Sequence, residues 1–222
     1  MKRSSLAAAL LFAAPLCLQL LAQGRPDGCQ SSCGICTAPP PATQPATELT
    51  AVERSQLLAM RREEKLAHDV YVTLGRKYAL RPFERIPGSE KQHQAVMASL
   101  LAHYEITDPV KDLPEGKFDD ASVQTLFDTL VAKGNESEIA AMKVGAEIEE
   151  LDIKDLRTAL SRTDRADLRD AYTALERASQ NHLRAFARNL SARGVQYQAS
   201  HLEQTEFDRI AQQPAGRGQG SH

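Results

Sequence analysis

Tryptophan is absent from the 222 residues, and aromatic residues together make up 5% of them. Recognition by stacking on sugars or bases therefore has little to work with. The formal net charge is -2 at pH 7, so there is no positive field to draw in nucleic acid or an anionic membrane, and neither is expected as a partner. Beyond the amino-terminal segment no apolar run approaches the ~20 residues of a spanning helix. Strand-like alternation, Asn-Gly hairpin signals and internal repeats are also missing. Glycine and proline concentrate near the two ends, leaving a middle rich in Ala, Leu, Glu, Arg and Lys. Those are strong helix formers, and the fold class expected is all-α.

The ends read differently from the middle. Lys2 and Arg3 precede an apolar run, Leu6 to Leu21, broken by Pro15 and Gln19, with the small residues Ala22 and Gly24 after it. That is the layout of a signal peptide over residues 1–24, so the chain is expected to be exported, periplasmic or secreted. Cys17 follows Pro15 and Leu16 where lipid attachment wants small residues, and lipidation is not expected. Cys29, Cys33 and Cys36 share the spacing of a radical-enzyme cluster motif, but that chemistry needs a large α/β barrel. An exported location favours one disulfide with a spare thiol, or pairing between chains. Pro39, Pro40, Pro41 and Pro45 make a stiff extended linker, so residues 25–48 read as a tether. Residues 49–212 form the folded domain and 213–222 a disordered tail.

Within the domain, Thr50 and Glu53 form a capping-box pattern. Leu57, Met60, Glu64, Ala67, Tyr71 and Leu74 then recur at spacings of three and four, one inward stripe of a helix packed in a bundle. On a second helix the stripe is Ile86, Glu90, His93, Met97, Leu100 and Tyr104. Pro87-Gly88 is expected to kink or restart that helix, with Ser89 and Gln92 as a second capping box, and Asp108-Pro109 to end the segment. A long connection follows, with a short helix from about Ser122 to Lys133 stopped by Gly134. Asn135 with Glu138 is the expected cap of the third long helix, whose apolar residues are Ile139, Val144, Ile148, Leu151 and Ile153. Glu147 lies next to that stripe and Glu150 one step around. The fourth helix starts near Asp164 with the stripe Leu168, Tyr172, Leu175, Ser179, His182, Phe186 and Asn189. Gly194 ends it, and a last short helix is expected over Glu203–Gln212.

Each long helix thus carries a glutamate or histidine at or beside its inward face: Glu64; Glu90 and His93; Glu147 or Glu150; and His182. Burying such groups costs several kcal/mol unless they are paired or bound. A single core histidine is ordinarily hydrogen-bonded to its neighbours, but four helices converging in this way suit a divalent cation. Carboxylate plus imidazole fits iron, with manganese or zinc as alternatives. Bundle-core carboxylate centres draw a Glu from each of two helices and Glu-x-x-His from the other two. Glu90 and His93 supply one such pair. Ser179 stands three residues before His182 where the second glutamate is due. Glu150, or His68 one turn beyond Glu64, can make up the deficit, or one ion binds tightly. Tyr71, Tyr104 and Tyr172 on the same stripes read as core packing.

At Glu63–Tyr71, at Ser89-Glu90 with His93, at Gly145–Ile153 and at Asn181–Phe186 the chain resembles the ferritin-like superfamily. More closely it resembles that superfamily's domain-of-unknown-function family 2202, over roughly residues 50 to 210. The resemblance implies a ferritin-like four-helix bundle with a long crossover carrying a short extra helix. It also implies a metal site using Glu64, Glu90, His93, Glu147 or Glu150, and His182. The function expected is a carboxylate and histidine centre for two iron ions, or iron and manganese, that oxidises ferrous iron or reacts with oxygen or peroxide. Two alternatives stay open: a metal-binding or storage module without turnover, and a metal-free structural bundle with a buried polar network. Monomer and dimer are equally compatible with the sequence.

Overall fold

A computed structural model describes residues 48–213. The segment expected to be a signal peptide, the four cysteines, the expected tether up to residue 47 and the expected tail beyond residue 213 lie outside the described residues. Those described form six helices and no strand: α1 (Ala51–Lys77), α2 (Arg81–His103), α3 (Ala121–Gly134), α4 (Glu138–Leu160), α5 (Ala166–Ser191) and α6 (Gln204–Gln212). The all-α expectation holds. None of these helices is long and apolar enough to cross a membrane.

The start of α1 is the capping box read from sequence. Glu53 N–H donates to Thr50 Oγ1 at 3.2 Å, and Thr50 N–H donates back to Glu53 Oε2 at 2.9 Å. The opposite side of Glu53 accepts from the Thr163 hydroxyl at 2.6 Å, tying this end of α1 to the turn before α5.

α2 departs from expectation. It neither restarts nor takes a new cap at Ser89, but runs through Pro87 from a beginning at Arg81. Proline is tolerated there because both flanks are held by burial, Phe83 and Ile86 before it and Glu90 and His93 after it. Ser89 turns its hydroxyl to His93 instead, with Oγ 3.2 Å from Nε2. α2 also stops before Asp108-Pro109: Glu105 takes a left-handed conformation at φ 54° and Ile106 N–H closes back on Leu101 O at 2.8 Å. Ser137, not Asn135, caps α4 by accepting from Ala140 N–H at 3.0 Å, while Asn135 ends α3.

α1 pairs with α2 and α4 with α5; α1 also packs on α4, and α2 on α5. The connection from α2 to α4 carries α3, which lies against α1 and α4, and α6 lies against α5. Two apolar clusters fill the interior. One holds Tyr71, Leu74, Phe83, Ile86, Met142 and Phe186, the other Leu57, Met60, Met97, Leu156, Tyr172 and Leu175. On α1, α2 and α5 the residues of one cluster are separated from those of the other by buried polar side chains, and on α4 such side chains lie at the same level, with Ile153 of the first cluster following them. These are Glu64 on α1, Glu90 and His93 on α2, Glu149 and Asp152 on α4, and Ser179 and His182 on α5. A polar layer therefore crosses the core between two apolar ones, and it is there that function is to be sought.

Candidate metal centre

Glu90 is the hub of this layer. Its Oε2 lies 2.9 Å from His93 Nδ1, and its Oε1 lies 2.8 Å from His182 Nδ1. One carboxylate thus faces two imidazoles from two helices, with one oxygen toward each. Glu64 Oε2 is 3.2 Å from His93 Nδ1 on one flank, and Glu149 Oε1 is 3.5 Å from His182 Nδ1 on the other. The two rings stack with centroids 5.7 Å apart and an interplanar angle of 23°. Two groups result, Glu64 with Glu90 and His93, and Glu90 with Glu149 and His182. Within each, one potential ligand atom per residue lies within 4.8 Å of the others. The polar side chains are almost fully withdrawn from solvent, from 0% exposure at Glu149 to 7% at His182.

The electrostatics follow from that burial. Burial pushes the Glu64 carboxyl up to about 7, against the pull of His93. Glu149 is likewise raised by burial, with His182 acting against it. Burial acts on Glu90 too, but the imidazoles of His182 and His93 outweigh it and hold that carboxyl far below the usual range. The layer contains more carboxylate than its imidazoles can neutralise, and Glu149 Oε2 is buried with no hydrogen-bond partner among the described residues.

Sequence reasoning placed Glu64, Glu90, His93 and His182 on inward stripes, and all four meet here. The two α4 candidates do not. Glu147 sits at the surface in an ion pair with Lys133, at 2.5 Å. Glu150 faces the segment before α6, accepting from the N–H groups of Ser200, His201 and Leu202 at 2.9 to 3.0 Å. The carboxylate that reaches the layer is Glu149, which periodicity passed over. The reason is that α4 is covered on several sides by α1, α3, α5 and the segment leading to α6. Its buried residues ring most of the helix and conceal a single stripe. Spacing did contain the signal: Met142, Gly145, Glu149, Asp152 and Leu156 recur at three and four.

His68 is directed away, with Nδ1 2.8 Å from Asp69 Oδ1. Ser179 is buried but donates to its own helix, at 3.2 Å to Leu175 O. Tyr71 does more than pack, because its hydroxyl donates to Glu149 Oε1 at 2.7 Å and fixes that carboxylate. Gly145, one turn before Glu149, lets the Phe186 ring lie against α4, since a Cβ there would fall 2.2 Å from Phe186 Cε1. The Tyr71 and Phe186 rings, 5.4 Å apart, close the layer on the side of the first apolar cluster.

These features define an all-helical protein that gathers buried glutamate and histidine groups able to hold a metal ion. The chain belongs to the family described as Uncharacterized protein domain (DUF2202), whose model matches residues 53–214. It is 40% identical over 174 residues to the uncharacterized protein MJ0754 of Methanocaldococcus jannaschii, covering 78% of this chain and 94% of that protein. The crystal structure of hypothetical protein MJ0754 from Methanococcus jannaschii superposes with a TM-score of 0.75 at 39% identity, covering 78% of this chain and 99% of that one.

Proposed function

We propose that this protein is a ferritin-like four-helix bundle holding two divalent metal ions, iron in the first instance, and oxidising ferrous iron or reacting with oxygen or peroxide. The observation that carries the reading is the sharing of Glu90 between two groups, each of two carboxylates and one imidazole. That donor set suits iron, with manganese or zinc as alternatives. The orphaned, buried Glu149 Oε2 is an acceptor that a cation would satisfy. Glu64 and His93 would hold one ion, Glu149 and His182 the other, and Glu90 both. When bound, such ions would supply redox equivalents for the reaction with oxygen or peroxide. The chain's part is to exclude water with the two apolar clusters and to hold Glu149 through the Tyr71 hydroxyl. Export through the segment at residues 1–24 belongs to the same proposal.

The metal-free reading also has an observation behind it, since Glu64 contacts His93 and Glu90 contacts His182 as a self-satisfying network would require. It is the weaker of the two, because those pairs leave Glu149 Oε2 without a donor. Elemental analysis of protein purified without chelator or affinity nickel decides between them. About two equivalents of iron or manganese per chain are expected. Protein that holds no metal and takes up none when ferrous iron is added anaerobically would end the proposal. Metal uptake without oxygen consumption would leave a storage module.

A further inference from the structure

The serine that the sequence offers as a helix cap stands beside an imidazole instead. α2 runs through Pro87 without restarting, and the Ser89 hydroxyl lies 3.2 Å from Nε2 of His93, one turn further along the same face. Both residues are buried, Ser89 at 9% exposure and His93 at 1%. On its other side the His93 ring turns Nδ1 to two carboxylates, 2.9 Å from Glu90 Oε2 and 3.2 Å from Glu64 Oε2. The two nitrogens of one ring therefore have different surroundings, acidic at Nδ1 and hydroxylic at Nε2.

Glu64, Glu90 and His93 offer converging ligand atoms, and the nitrogen on the side of the carboxylates is Nδ1. To bind an ion there, Nδ1 must present a lone pair, and the ring proton then has only Nε2 to occupy. A ligating histidine ordinarily donates that second N–H to an acceptor, which fixes its tautomer and ring orientation. A hydroxyl both donates and accepts. Ser89 thus suits the ring before an ion binds, with the proton on Nδ1 beside the carboxylates, and afterwards, with the proton on Nε2. On α5 the corresponding position, four residues before His182, is Ala178, whose side chain has no hydrogen-bonding group.

We propose that Ser89 is a positioning residue: its Oγ accepts the Nε2–H of His93 and so fixes Nδ1 as the atom that binds the ion shared with Glu64 and Glu90. This rests on the two-metal reading above. The support reaches one half of the centre, because nothing equivalent stands before His182 on α5.

The first measurement is an anaerobic titration of metal-free protein with ferrous iron, read as ions bound per chain and as the affinity of each. Ser89→Ala is expected to bind one ion at least about tenfold more weakly while the other stays within about threefold of wild type, since outer groups that hold a ligating histidine have effects of that size. The second is the nitrogen-15 spectrum of the histidine rings in zinc-loaded protein, which a role in packing alone would not move. Wild type is expected to show His93 bound through Nδ1, with a proton on Nε2 that exchanges slowly with water. In S89A that proton should exchange faster.

Unchanged affinities in S89A, equal losses of both ions, a zinc-loaded His93 bound through Nε2, or an Nε2 proton whose exchange S89A leaves as it was would each overturn the role of Ser89 and leave the centre itself standing. A wild-type chain that binds neither iron nor zinc would instead overturn the reading on which it rests.

Discussion

One residue apart on α1, Glu64 and Lys65 begin two buried polar clusters with opposite logic. Lys65 pairs with Asp69 one turn on, and donates to Pro114 O at 3.0 Å. Asp69 also accepts from Gly116 N–H at 2.9 Å and contacts His68 Nδ1 at 2.8 Å. Lys65 lies 5.0 Å from the Phe118 ring centroid. Every strong group there has a partner of opposite charge or a backbone group, and the result pins the start of the crossover to α1. The cluster that begins at Glu64 gathers Glu90 and Glu149 against two imidazoles, with an orphaned acceptor at Glu149 Oε2 and the Glu64 and Glu149 carboxyls pushed up by burial. A polar core built for structure closes its own ledger of charge and hydrogen bonds. One that leaves a negative surplus offers the donors that the proposed metal centre needs.

The sharpest way to break this contrast is to remove the hub. Glu90→Ala is expected to abolish tight binding of both ions, because Glu90 belongs to both groups. The stabilisation that metal confers disappears with them, about 4 kcal/mol at a free metal concentration a thousand times Kd. Melting curves with and without metal should then coincide; a variant that still gained stability from metal would show that Glu90 is not shared. Asp69→Ala is next in size. It strands Lys65 in a buried site and should cost about 3–5 kcal/mol, measured by urea unfolding, while leaving the number of bound ions unchanged. Loss of metal in Asp69→Ala would mean that the two clusters are one.

A smaller effect separates the clusters by sign. The Glu64 carboxyl is raised by burial from 4.5 to about 7 in the folded protein, so the folded state binds that proton more tightly than the unfolded chain does. Its contribution is full below about 4.5 and is lost as pH rises through about 7. Asp69 is pushed up by burial, but His68, Lys65 and the Gly116 N–H together bring it below its ordinary 3.8. Its contribution is present above that value and is lost as pH falls. In chelator, wild-type stability should therefore fall between about pH 4.5 and 7, and Glu64→Gln should flatten that fall where Asp69→Asn does not. Urea midpoints that hold steady or rise over this window would count against a charge surplus in the layer. Metal reverses the trend, because its ligands must release protons to bind it.

How much of this was legible in the sequence depended on how many sides of a helix are covered. α2 and α5 present one buried stripe each, and on α1 the apolar stripe stays regular although Arg61, Lys65 and Asp69 are buried beside it, so the inward residues Glu64, Glu90, His93 and His182 stood out as polar breaks in an apolar period. On α4 the same period runs through Met142, Glu149 and Leu156, but burial by α3 and by the segment before α6 adds Val144, Ile148 and Glu150 to the hidden set. The period of three and four through Glu149 then competes with a second hidden set, and Glu149 was passed over. Helix ends were readable where a local box of side chains sets them, as at Thr50. They were misread where tertiary burial overrides local preference, as at Pro87. The anchoring cluster was invisible because Asp69 meets Gly116 across a separation of 47 residues that no local pattern encodes.

The smallest expected effect tests the seam between the two halves of the centre. Ser179 stands in α5 where the pattern of α2 has Glu90, and it is buried to 2%. If the hydroxyl were a ligand, removing it would weaken one ion. Its hydrogen bond goes to Leu175 O, a carbonyl already engaged by its own helix, and such back-bonding slightly destabilises helices rather than supporting them. Ser179→Ala should therefore change stability by no more than about 0.5 kcal/mol and leave both metal affinities as they were. A clear loss of one ion in this variant, measured by anaerobic titration with ferrous iron, would make the Ser179 hydroxyl a ligand. It would restore the symmetric pairing of helices that the serine, at first sight, breaks.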